Sequence, residues 1–321
     1  MPSTAITLTK AFMHTSLISA GRYAATALLF TLAMAQAHAA PATKESLRRY
    51  FEVAKVASLT DNAIETISAA QARDWKEETD PKEKAGKKAV YDKADQTIRK
   101  YINWPVLEPL AIESYQKLLD EADVQGMTVH AQGPVGQLIT NKLTPALIAQ
   151  LPAIGQHIEQ RVDAIIDQDD AAPKPAVAPP APPANRKEAL ARTMLGDYPG
   201  VREEFDAMMG TIEARMMQSA AMFMGEQAAK MEAQMKTYGA RIRDQITFDE
   251  ITALKARLLA DALSEAEMHA IIDDNKKPAR RAQLVKAKKA EAELQVRMNT
   301  YLQEKVFPVL VPELVKIIGT K

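Results

Sequence analysis

The sequence predicts an all-α fold, and three observations carry that prediction. Aromatic residues make up only 5% of the 321 residues and β-branched runs are few, so the composition leans away from strands. Capping residues followed by proline recur at helix-length intervals, as at Asp80-Pro81, Gly133-Pro134 and Thr144-Pro145. No stretch offers the period-two alternation of a half-buried strand. A 47% apolar and 26% charged composition suits a globular chain with room for about two domains.

The elements follow in chain order. Residues 1–22 carry Lys10 and Arg22 and no acid, an apolar run spans Tyr23 to Ala35, and Ala37-His38-Ala39 follows. That order predicts a signal peptide over 1–39, cleaved after Ala39, and hence a periplasmic or secreted protein. The run falls short of the ~20 residues that cross a bilayer, so no stable membrane span is expected after cleavage. Residues 40–166 read as a first helical lobe. Asp80 caps a helix running to about Ile102, with Val90, Ala94, Ile98 and Tyr101 as its apolar stripe. Asn103 caps the next, with Pro105 in its first turn and Leu107, Leu110 and Leu118 on one face. Asp120, Gly133-Pro134 and Thr144-Pro145 open three more. Residues 167–187 are rich in proline and alanine and predict an extended linker. A second helical lobe is expected over 188–321.

The second lobe repeats the punctuation of the first at a constant offset of 144 residues. Ile98-Arg99 returns as Ile242-Arg243, Ile102 as Ile246, Trp104 as Phe248, Leu110 as Leu254 and Pro134 as Pro278. Leu119-Asp120-Glu121-Ala122 returns as Leu263-Ser264-Glu265-Ala266. Thr247 with Glu250, and Ser264 with Glu267, have the spacing of capping boxes and stand where Asn103 and Asp120 stand. The expectation is two tandem, related lobes from an internal duplication. After Pro278 the registers part, and the next helix of the second lobe is longer.

Residues Trp104 to Leu143 resemble the exported bacterial helical proteins grouped as domain of unknown function 2059. The family pattern has an acidic helix start, an aromatic pair and a Ser-Pro-x-Gly-like turn. Asp120-Glu121, Val129-His130 and Gly133-Pro134-Val135-Gly136 stand at those places, without the aromatic pair and with Gly133 in place of serine. Lys277-Pro278-Ala279-Arg280 marks the diverged second copy. The resemblance implies an exported helical fold and brings no activity or catalytic residue.

Chemistry is sparse. With no cysteine, disulfides, thiolate catalysis and cysteine metal sites are excluded. Lys+Arg and Asp+Glu balance at 41 each, so no global field recruits nucleic acid, and the lysine tracts Lys82 to Lys88 and Lys276 to Lys289 read as solvated helix faces. No Gly-x-Ser-x-Gly, phosphate-binding loop, dinucleotide fingerprint or His-Glu-x-x-His occurs. Glu265 and His269, at i and i+4, share a helix face that could begin a divalent metal site, against the simpler reading of a solvated cap region. Met217, Met224 and Met231 recur every seven residues on one predicted helix, with Met235 four further on. That stripe reads as a core seam, as an adaptable groove for a partner, or as a cuprous-ion site with Met222 and Met224 as donors. The functional expectation is a non-enzymatic envelope protein that binds a protein or peptide partner and needs no cofactor. The alternative is a hydrolase-type enzyme or metal handler with a site between the lobes, beginning at Glu265 and His269.

Overall fold

The computed structural model describes residues 40–167, 179–220 and 226–319. These are helical throughout, without a strand among them; the nearest approach is a single bridge between Pro41 and Asp120. The predicted signal peptide, 1–39, lies outside the described residues. No described helix is long and apolar enough to cross a membrane.

The chain opens with α1 (Lys44–Val53), α2 (Val56–Glu77), α3 (Pro81–Tyr101), α4 (Trp104–Gln116) and α5 (Glu121–Gln132). A short α6 (Pro134–Leu138) runs through a π-helical turn, π1 (Ile139–Leu143), into α7 (Thr144–Ile166). Then come α8 (Arg186–Gly196), α9 (Val201–Ala220), α10 (Glu226–Gln245), α11 (Phe248–Leu259), α12 (Glu265–Lys276) and α13 (Pro278–Tyr301). A second π turn, π2 (Leu302–Val306), leads into α14 (Phe307–Gly319).

The caps are where the sequence placed them. Asp80 accepts from the Lys82 and Glu83 amides, Asn103 from Val106, and Asp120 forms a full capping box with Asp123. Ser264 and Glu267 form the second full box. Thr247 caps α11, but its box stays half-made because the Glu250 carboxylate is taken by His157 and Arg161. Leu118 falls after the end of α4 and is exposed, so it does not share the buried face of Leu107. α7 begins at Thr144, as expected, but continues from the π turn without a break in the chain's helical path. The π turn lets the Thr144 amide reach back to the Ile139 carbonyl, five residues away, which absorbs the register change before the proline that lacks a donor. The same device precedes Pro308, where the Phe307 amide reaches the Leu302 carbonyl.

The described residues fall into two compact units, one from 40–152 with 262–319 and the other within 153–261. This differs from the expected sequential lobes, 40–166 and 188–321. The reason is apolar complementarity across the sequence. In the first unit, Leu47, Tyr50 and Phe51 of α1, Ile98 of α3, and Leu107 and Tyr115 of α4 share one core with Ala290, Leu294 and Met298 of α13 and Leu302 and Val306 of π2. Phe51 sits edge-on to both Trp104 and Tyr115, at centroid distances of 5.3 and 5.4 Å. Before α1, Ala42 is buried and the Ala40 carbonyl accepts from the Glu121 amide.

In the second unit α9 packs on α10. Glu213 holds Arg243 through two bonds of 2.6 and 2.7 Å. Thirty residues of one straight helix would put those side chains about 45 Å apart, so the expected single methionine-rich helix is instead two helices packed together. The far end of the proline-rich segment is anchored, with Arg192 donating to the Ala181 carbonyl and the Ala184 amide to the Glu188 carboxylate.

Candidate functional site

The methionine stripe depended on one continuous helix, and a seven-residue period holds a face only along such a helix. Met217 lies on α9 and is half-buried. Met222 and Met224 lie outside the described residues, as does the side chain of Met231 on α10. The methionines that the described core does take up are Met208 and Met209 of α9 and Met235 of α10.

Glu265 and His269 occupy the first two turns of α12, with His269 exposed. Among the described residues no cluster of three or more histidine, aspartate or glutamate side chains is placed to hold a metal ion.

Other polar residues converge instead, around α5, α12 and α13. His130 of α5 bonds through Nε2 to Oδ2 of Asp274 on α12 at 2.8 Å. Asp274 also accepts from Lys277 at 2.9 Å, and the buried Arg280 guanidinium stands 3.4 Å from it. Burial pushes the His130 pKa down, and it outweighs the hydrogen bond to Asp274. A neutral imidazole then donates from Nε2, leaving Nδ1 a buried lone pair with no hydrogen-bond partner. Burial opposes ionisation of Asp274, but the bonds from His130 and Lys277 overcome it and hold that carboxyl well below its usual range. Gly136 makes the close packing of α5 on α6 possible. A Cβ there would lie 2.1 Å from the His130 carbonyl oxygen.

Two further ion pairs flank this centre. Lys286 Nζ bonds both oxygens of the buried Asp123 at 2.7 Å, and Lys142 Nζ bonds Glu267 at 2.6 Å. The Lys142 ammonium and the Ser264 amide bring Glu267 down to about 2. The tract Lys276 to Lys289 is therefore no simple solvated face, since Arg280 is buried in it and Lys286 is engaged. A separate trio in the other unit joins His157 and Arg161 of α7 to the Glu250 carboxylate at 2.8 and 2.9 Å, with Arg161 also reaching the Gln245 carbonyl.

Sequence reasoning had no local signal for the trio, whose members lie 89 and 93 residues apart. It did hold a signal for the central pair. His130 and Asp274 are separated by 144 residues, the offset at which the punctuation recurs.

The first unit also carries a cleft of about 330 Å³ at the junction of α1, α2 and α4. Phe51 and Trp104 form its apolar wall; Arg48, Lys55, Glu52 and Glu108 supply both signs of charge, and Ala57 and Ser58 complete the lining. Arg48 pairs with Glu108 at 3.3 Å. Lys55, at its edge, has left-handed backbone (φ 56°), an uncommon conformation for a side chain with a Cβ. Comparisons with protein-family models, with curated proteins and with solved structures returned no match.

Proposed function

We propose that this is an exported helical protein of the bacterial cell envelope, built from a duplicated helical repeat, that binds a protein or peptide partner without catalysing a reaction. The observation that carries the binding reading is the cleft beside Trp104. An aromatic wall with charges of both signs at its margin suits an amphipathic peptide side chain: the ring face supplies apolar contact, and the surface ion pairs of Arg48 and Glu52 and the bond of Lys55 to Asn141 can be exchanged for bonds to a ligand. Lys55, left-handed where α1 ends and turns into α2, sets the edge of this cleft. The described polar clusters are ion-paired and built into helix packing, which suits structure better than turnover.

Export rests on the sequence of residues 1–39. The duplication is supported by element positions: Glu121–Gln132 and Glu265–Lys276 start and end 144 residues apart, as do the starts of α4 and α11 and of α6 and α13. The kinship with the family that Trp104 to Leu143 resembles belongs to the same proposal.

A photo-crosslinking amino acid in place of Ser58 tests the binding reading in living cells. Discrete adducts are expected, and they disappear when Trp104→Ala is added to a chain whose melting is otherwise kept. Adducts that persist unchanged in the Trp104→Ala background, or no adduct at all, would discard the cleft. N-terminal sequencing of the purified protein tests export, with Ala40 as the expected first residue.

A further inference from the structure

The polar layer around His130 is one arrangement made twice. Asp123 and Glu267 are the third residues of α5 and α12 and close their two capping boxes. They are 144 residues apart, and their partners, Lys286 and Lys142, each stand eight residues after the proline that opens the following helix, Pro278 and Pro134, so the two match by place after the helix start although the residue pattern has already diverged there. Thus a residue of the first copy contacts a residue of the second, and the equivalent residue of the second contacts its counterpart in the first. Between the two pairs, His130 touches Asp274, its own equivalent. Equivalent positions meet each other, flanked by a reciprocal pair, in an isologous interface with a two-fold axis.

The helices beyond this layer cross over. The copy that contributes α8 to α11 to the second unit sends α13, π2 and α14 into the core of α1 to α4, where Leu294, Met298, Leu302 and Val306 are buried. The copy that contributes α1 to α6 to the first unit sends the later turns of α7 the other way, where His157 and Arg161 hold Glu250 and the Gln245 carbonyl. We infer that residues 121–143 and 265–287 are a self-complementary docking surface whose partner is a second copy of the same repeat, and that the two copies exchange their C-terminal helices within one chain. This rests on the duplication and is independent of export and of the Trp104 cleft. It also sets a constraint on the molecule: the core around α1 to α4 is completed by residues of the other copy.

The test uses the full chain with a protease recognition sequence inserted between Pro175 and Pro179. After cutting, the two pieces are expected to elute together at the size of the intact protein and to part only in denaturant. Two separately eluting folded fragments would overturn the exchange while leaving the duplication standing. Charge reversal then tests the two-fold layer. Lys142→Glu and Lys286→Glu are each expected to lower the urea concentration at which the nicked pieces part, with the larger shift at Lys286, whose partner Asp123 is the more buried acid. Adding Glu267→Lys to the first, or Asp123→Lys to the second, is expected to recover part of the lost midpoint, the remainder being the capping box that each second change breaks. Pieces that co-elute but show rescue at only one pair would overturn the two-fold docking and the duplication with it.

Discussion

His130 sets a pH dependence that can be derived residue by residue. In the unfolded chain an imidazole takes up its proton near pH 6.5, whereas burial among α5, α12 and α13 holds folded His130 neutral to lower pH. The groups facing it are Asp274, Lys277 and Arg280, and the two cations add to its resistance to protonation. Between the two values the unfolded chain binds more protons, so stability is full above pH 6.5 and falls as the pH drops through the folded value. Asp274, whose folded value is depressed, adds a second loss at more acidic pH, below the ordinary aspartate range. The denaturation midpoint is therefore expected to fall between pH 7.5 and pH 5.5, and His130→Gln is expected to flatten the curve over that interval. Parallel curves for the two proteins would show that His130 does not carry the effect. This residue was only half legible in the sequence. Its spacing from Asp274 was visible, but burial and the loss of a free Nδ1 partner depend on packing that no local pattern encodes.

At the scale of elements, local chemistry predicted most of what is present. The N-caps at Asp80, Asn103, Asp120 and Ser264 use short side chains to satisfy free amides, and such signals act within four residues, so they survive in the bare sequence. The misreadings have a common cause in tertiary competition. Glu250 left its capping box for His157 and Arg161, and the methionine run was folded into two packed helices. The α5–α6 turn supplies a direct test of element packing. Alanine favours a helix over glycine by about 1 kcal/mol, yet a Cβ at position 136 would lie 2.1 Å from a backbone oxygen that cannot yield cheaply. Gly136→Ala is expected to cost about 3 kcal/mol or more in thermal or chemical denaturation, as overpacking does. A neutral or stabilising substitution would mean that the two helices part readily.

On the scale of the whole molecule, the all-helical class was legible and the partition was not. Composition and caps report what each segment becomes, while unit membership depends on which apolar faces meet, and Leu302 meets the core of Leu47 across more than 250 residues. A truncation after Tyr301 turns this into a prediction. It removes Leu302, Val306, Leu310 and Leu314, all buried, at about 2 kcal/mol each. That sum rivals the entire stability of a typical domain, about 5–15 kcal/mol. The shortened chain is expected to lose the cooperative unfolding transition of the unit containing α1 to α4, seen by circular dichroism. An unchanged transition would remove α14 and π2 from the essential core.

The same wide separation sets a clock on biosynthesis. A ribosome adding about 5–20 residues per second exposes the apolar face of α1 roughly ten seconds or more before π2 exists to cover it. During that interval the early helices have no native lid, whatever their own helical propensity. Closure awaits the synthesis of π2, so the face of α1 that Leu302 and Val306 cover in the folded unit is open for most of the time the chain takes to grow past it.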